Sequence, residues 1–324
     1  PPSNAAAPSD PNTTPDPGLG AEIVDKGRAL VRARNFAALR DLYVSHQGDD
    51  RTILLEGVCK QLGNSDALET WALQSPKDAV ATLFAGTNYC FQAFEARGGR
   101  LAKDVQGGQW ALFGKFLSES AKMLEASIAA DPSDAEPYHR MIRVLLGDNA
   151  LSTRSYMDYF EEARRRRPHH LYAHMDALTH KCEKWGGSHH QMFTFARESL
   201  KNAPDGTLLA TLIPMANIER MVYYRIENDV DGANNFLRSE NAKAELHDAY
   251  MKSVGSPNLE QTPLTPVLYN WMAANLIYSA SKVGRQETLQ RMGNQITDRP
   301  WAYISMPVYG HVNDLRKDFR LPPI

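Results

Sequence analysis

The chain has 324 residues, 43% apolar and 23% charged, with 36 basic against 38 acidic side chains and a formal charge of −2. That near-balance excludes a dominant nucleic-acid or anionic-membrane partner, because phosphate binding shows as an excess of Lys and Arg. No apolar run reaches the roughly 18 residues a spanning helix needs, and the richest window, 265–280, is interrupted by Asn270, Asn275 and Ser279.

Residues 1–18 hold six prolines and no aromatic side chain. Such a segment buries too little apolar surface to offset its ordering entropy, so it reads as a flexible tether. A tether of this composition fits an exported, periplasmic bacterial protein slightly better than a cytoplasmic one. Cys59, Cys90 and Cys182 leave the compartment open. Cys59 and Cys90 could form one disulfide, or all three could be buried thiols.

Helical periodicity starts near Ala21 and predicts two short helices joined near Arg34-Asn35. A second pair is expected over 51–62 and 67–73, with Asn64-Ser65-Asp66 as the cap signal. Runs of strand type are nearly absent. The chain reads as all-α, with an N-terminal helical region over 19–75.

The central part, 76–225, carries a repeat. AKMLEASIAADP, MDYFEEARRRRP and MFTFARESLKNAP are amphipathic helices stopped by Pro132, Pro168 and Pro204, 36 residues apart in both intervals. Proline cannot extend a helix, so a fixed proline interval marks a fixed helix–turn–helix unit. Second helices are expected over 135–146, 171–184 and 207–225, and 78–97 with 110–130 reads as an earlier, longer unit. Pro214 is expected to kink or break the third of those second helices. The predicted architecture is a right-handed α-solenoid of tetratricopeptide-like hairpins. One hairpin cannot cover its own apolar face, and stacking buries it while leaving a concave groove. The C-terminal region, 226–324, continues with helices to Val254, over 267–283 and 286–296 and near 313–319, separated by irregular stretches. Trp301, Tyr303, Tyr309 and Phe319 are expected to cap the array.

CEKWGGSHHQMFTFA, residues 182–196, concentrates unusual residues. Leu171, Met175, Leu178, Cys182 and Trp185 share one helical face, which places Cys182 and Trp185 in a core stripe. Gly186 and Gly187 end the helix through positive φ. Ser188 caps the next one, with Gln191 completing a capping box. These five residues, Cys182, Trp185, Gly186, Gly187 and Ser188, read as a structural joint.

Six of the ten histidines fall within 169–190. Their spacing matches no metal-ligand pattern, so neither a metal nor a cofactor is expected, although an enzyme or metalloprotein using this unit stands as an alternative. The face opposite the core stripe offers Asp176, His180 and Glu183, and the preceding unit offers Glu136, His139 and Arg143. Two such polar stripes facing one groove could grip a polar peptide. The run Arg164–Arg167 closes a helix whose terminal carbonyls favour cations, with Glu161 and Glu162 one turn upstream. It reads as a solvated helix end. No catalytic motif occurs, so the expected function is a non-catalytic scaffold for a protein or peptide partner. A structural part in a bacterial envelope or secretion assembly is a further alternative.

Four fragments together, LETWALQSPKDAVA, YCFQAFEARGG, IAADPSDAEPY and CEKWGGSHHQMFTFA, resemble a bacterial family of tetratricopeptide-like proteins catalogued as a domain of unknown function. The shared order is Trp71 with Pro76, the Ala96–Gly99 turn, Pro132, and the Lys184–Ser188 joint leading into an F-A helix. The resemblance covers roughly 40–200. It implies a helical-repeat fold and no catalytic residues.

Overall fold

A computed structural model describes residues 18–61, 66–98 and 102–279. Among the described residues there are helices and no strands. The tether up to residue 17, the Asn64-Ser65 part of the cap signal, the helices expected beyond 280 and the C-terminal aromatics lie outside them. The chain divides into two compact units, 20–180 and, with residues 18–19, 181 onward. That division falls inside the 76–225 repeat segment.

In the first unit, α1 (Glu22–Arg32) and α2 (Phe36–Val44) meet where expected. Arg34 takes positive φ (52°) at the joint, and the Asn35 side chain caps α2 by accepting from the Ala38 N–H at 3.2 Å. Then come α3 (Gly48–Gln61) and α4 (Ala67–Gln74). Asp66 stands at the N-cap position of α4 without a side-chain cap bond, and it pairs with Arg34 at 2.9 Å instead. α5 (Ala79–Arg97) begins at Asp78, whose carboxylate accepts from the Val80 and Ala81 N–H groups. α6 (Gly107–Ala130) packs along α5 at close range. Gly86 permits the approach, since a Cβ there would lie 2.8 Å from Leu124, and the Ser120 hydroxyl donates to the Gly86 carbonyl at 2.6 Å.

α7 (Glu136–Gly147), α8 (Tyr156–Arg166) and α9 (Leu171–His180) complete this unit. α6 and α8 stop just before Pro132 and Pro168. α7 packs on α6, α8 and α9, and the apolar centre includes Leu54, Phe84, Leu117, Leu124, Met141, Tyr159 and Leu178. Cys59, Cys90 and Cys182 are buried thiols, and Cys59 and Cys90 are not bonded to each other.

The second unit opens with the joint. α9 ends at His180, so the expected helix through residue 184 is interrupted, and Glu183–Trp185 form a 3-10 turn. Cys182 is buried with its thiol 3.4 Å from the Met192 sulfur, whereas Trp185 is only half-buried. Gly186 takes positive φ (89°). Gly187 does not, and is required for a different reason: a Cβ there would sit 2.2 Å from the Lys181 carbonyl oxygen. The Ser188 hydroxyl accepts from the Gln191 N–H at 3.2 Å and starts α10 (His189–Asn202), which stops before Pro204. Gly187→Ala is expected to lower stability by about 2 kcal/mol or more, because backbone must move. Gly186→Ala should cost about 1 kcal/mol, from strain at positive φ alone. Urea midpoints of the two variants check the order.

A 3-10 turn over Leu208–Thr211 then leads into α11 (Leu212–Ile226). The helix expected over 207–225 is thus broken into a 3-10 turn and an α-helix, two residues ahead of Pro214. Pro214 is the third helical residue, where the N–H has no partner within the helix to lose. α12 (Val230–Phe236), α13 (Glu240–Met251) and α14 (Thr265–Ser279) pack around α11. The Asn275 amide donates to the Pro214 carbonyl at 2.8 Å, and the Asn217 amide donates to the Asn275 side-chain oxygen at 3.0 Å. Two of the three polar residues that interrupt the 265–280 window thus find buried partners or lie buried, as Asn275 and Asn270 do. Among the described residues, no helix is long and apolar enough to cross a membrane.

Candidate functional site

α3 explains why a polar cluster forms inside the first unit. Its sequence is apolar at Ile53, Leu54, Leu55 and Val58, yet Thr52 and Glu56 are buried among them. A helix buried on most sides must give such groups partners, because an unpaired buried polar group costs free energy. α7 and the joint between α8 and α9 supply those partners.

Glu136, the first residue of α7, is the hub. One carboxylate oxygen accepts from the Thr52 hydroxyl at 2.5 Å and from Arg167 Nη1 at 2.9 Å. Arg167 also donates to the Thr52 oxygen at 2.7 Å, and its other arm binds Asp49. The second Glu136 oxygen faces His139 Nδ1 at 3.4 Å, and His139 Nε2 faces Asp176 of α9 at 3.2 Å. Arg143 donates to the other Asp176 oxygen at 3.3 Å. Next to His139, Arg140 pairs with Glu56. Asp134 leads into α7. It accepts from the Glu136 N–H at 3.0 Å and from the Tyr43 hydroxyl at 2.7 Å.

The charges close on themselves. Glu136, Asp176, Asp49 and Glu56 meet His139, Arg143, Arg167 and Arg140. His139 is 1% exposed, and burial opposes its charge. The carboxylates at both ring nitrogens outweigh that and raise its pKa to about 9, so it is an imidazolium near neutral pH. Burial also opposes ionisation of Glu136, yet His170, His139 and Arg167 hold its carboxyl well below the usual range. Asp176 behaves alike: burial resists, but His139 and Arg143 bring it to about 2. His170 goes the other way. Burial dominates and pushes it down to about 3, so it is neutral. Its Nδ1 accepts from the Ala173 N–H at 3.4 Å, which leaves the proton on Nε2.

Of the six expected groove residues, the structure brings Glu136, His139, Arg143 and Asp176 into one connected network. Glu136 and His139 are core groups and not a solvated face: Thr52 of α3 covers Glu136, and His170 and Asp176 lie against His139. Asp176 (15% exposed) and Arg143 (33% exposed) reach the surface. His180 lies half-buried one turn beyond Asp176. Its Nε2 donates to the Ile142 carbonyl at 2.7 Å, and its ring stacks on Tyr156 with centroids 3.9 Å apart. Glu183 belongs to the second unit and pairs with His189 at 2.9 Å.

Sequence reasoning missed Thr52, Asp49, Arg167 and His170. The signal was present in α3, where Asp49, Thr52 and Glu56 share one face of an otherwise apolar helix. The arginine run divides. Arg164 and Arg165 pair with Glu161 and Glu162 at the exposed helix end, as expected. Arg166 also pairs with Glu162, at 2.5 Å, but lies largely covered on the Tyr138 ring at 3.9 Å, and Arg167 turns inward to Glu136. Comparison of the chain with models of known families, with curated proteins and with solved structures found no match.

Proposed function

We propose that this chain is a non-catalytic helical-repeat scaffold of the tetratricopeptide-like kind, and that its first unit binds a protein or peptide partner. One observation supports this reading: a band of half-buried side chains drawn from four alternate helices, α3, α5, α7 and α9. Lys60 of α3 lies 6.0 Å from the Phe91 ring of α5, and Arg143 of α7 lies 4.5 Å over the Phe94 ring. Asp176 and His180 of α9 continue the band through the Arg143 ion pair and the Ile142 carbonyl. All six side chains are partly open to solvent.

Flat aromatic surface next to cations and a carboxylate suits an extended polar chain, since rings supply contact area and the charged groups fix register. The two cations are close enough to feel each other. Burial lowers the Lys60 pKa first, and Arg143 lowers it further. A carboxylate on the partner would relieve that repulsion, so acidic segments are the favoured class. Glu136 and His139 act beneath this surface, holding α7 against α3 and α9, and not as contacts.

The test uses peptides selected from a random display library on the wild-type chain. Arg143→Ala/His180→Ala is expected to weaken the selected peptides at least about tenfold in Kd, close to 1.4 kcal/mol, with little change in Tm. Unchanged Kd in this double variant, or selected peptides without acidic enrichment, refutes the assignment. His139 is left intact because its loss would perturb the core.

A further inference from the structure

Glu136, His139 and His170 each offer one donor atom, and the three atoms lie within 4.8 Å of one another on buried side chains. Zinc bonds to nitrogen and oxygen measure about 2.0–2.2 Å, so neighbouring donors in a tetrahedral site stand roughly 3.3 Å apart. Here His139 Nδ1 lies 3.4 Å from one Glu136 oxygen and His170 Nε2 lies 3.2 Å from the other, so a single ligating oxygen has one histidine at that spacing and the other within 4.8 Å, a gap that a small shift of the carboxylate closes.

Two further features point to a cation. His139 turns its second nitrogen to the Asp176 carboxylate, the outer contact that orients a metal-ligating histidine and raises its basicity. His170 Nε2, on a fully buried ring, faces Glu136 at 3.2 Å without the alignment of a hydrogen bond. A buried polar atom left in that state calls for an explanation, and an ion is one.

We propose that Glu136, His139 Nδ1 and His170 Nε2 form a structural site for one divalent transition-metal ion of the zinc type, with Asp176 as the outer acceptor. Uptake balances as follows. The His139 Nδ1 proton leaves for solvent, so the ion replaces one positive charge with two. The His170 proton moves from Nε2 to Nδ1, giving up the 3.4 Å contact from the Ala173 N–H, a first-turn group of α9. Arg167 keeps its bond to Glu136 and stays balanced by Asp49. The bound ion would tie α7 to the α8–α9 joint. This site shares Asp176 with the peptide-binding surface, but metal uptake and peptide affinity are read separately, so either can fail without the other.

The experiment is a calorimetric titration of Zn2+ into tag-free, chelator-stripped protein, with Tm followed in parallel. One saturable equivalent per chain and a raised Tm are expected. His170→Asn should abolish that equivalent while the far-ultraviolet dichroism stays helical. Asp176→Asn should keep the stoichiometry and weaken affinity about 10–100-fold. No saturable binding in the wild type overturns the proposal. Wild-type binding in folded His170→Asn also overturns it, since the ion would then sit on other histidines. If His170→Asn does not fold, Asp176→Asn decides alone, and unchanged affinity there is fatal.

Discussion

Glu136→Ala is expected to lower the unfolding free energy by about 3–5 kcal/mol, the range for removing one member of a buried ion pair. The cost comes from what is left behind. Thr52 and Arg167 lose their acceptor at 2.5 and 2.9 Å, and the His139 imidazolium loses one of its two carboxylates. Arg167 retains Asp49, so its charge is not fully stranded. Adding Arg167→Met to Glu136→Ala should therefore cost less than the two single changes summed, because the second substitution removes a group the first left unpaired. Urea unfolding at neutral pH, in the presence of chelator, measures all three. A loss below about 1 kcal/mol for Glu136→Ala would mean that the hub is a bystander.

The same hub shows what could be read in the sequence. Local features were legible because they depend on neighbouring residues. Ser188 caps α10 as its type and position imply, although Asp66 forms no cap bond for α4, and the 36-residue proline interval marks the ends of α6, α8 and α10. The joint was partly legible. Gly186 has its expected conformation, but α9 stops four residues early and leaves Trp185 in a 3-10 turn. Gly187 serves close packing on Lys181, which no local propensity encodes.

The network was only half visible. Helical spacing placed Glu136 with His139, and Asp176 with His180, on common faces, but spacing does not say what covers a face. Polar residues suggested water. What covers Glu136 is α3, through a Thr52–Glu136 contact spanning 84 residues with an Arg167–Asp49 contact spanning 118 beside it, and what covers His139, Asp176 and His180 is one another's helices and α8. A composition argument would have found α3's share, since Asp49, Thr52 and Glu56 lie on one face of a mainly apolar helix. Arg167 was concealed by its three neighbours, two of which do end in solvent. Pro214 was legible as a break: the helix expected over 207–225 divides into a 3-10 turn and α11 just ahead of it, which puts its missing N–H where no intrahelical bond needs it.

Stability of the chelator-treated protein should peak near pH 6.5 and fall on both sides, through different histidines. His139 has a folded pKa raised to about 9 against 6.5 when unfolded. Its contribution is fully present below 6.5 and is lost as pH rises through about 9, because only the folded form holds the proton across that window. The span corresponds to roughly 3 kcal/mol, at 1.36 kcal/mol for each tenfold change in proton affinity. His170 and His174 act in reverse. Burial brings them to about 3 and about 4, so the unfolded chain binds their protons first as pH falls below 6.5. Their loss is complete only near those lower values, where Glu136 and Asp176 add to it as their depressed pKa values are approached. His139→Gln should flatten the alkaline limb and leave the acid limb in place. His174→Gln should do the opposite, shallowing the acid limb only. Denaturant unfolding from pH 4 to 10 (about one unit beyond the raised His139 value) resolves the two. An alkaline limb of wild-type depth in His139→Gln would show that His139 is not held as an imidazolium between Glu136 and Asp176.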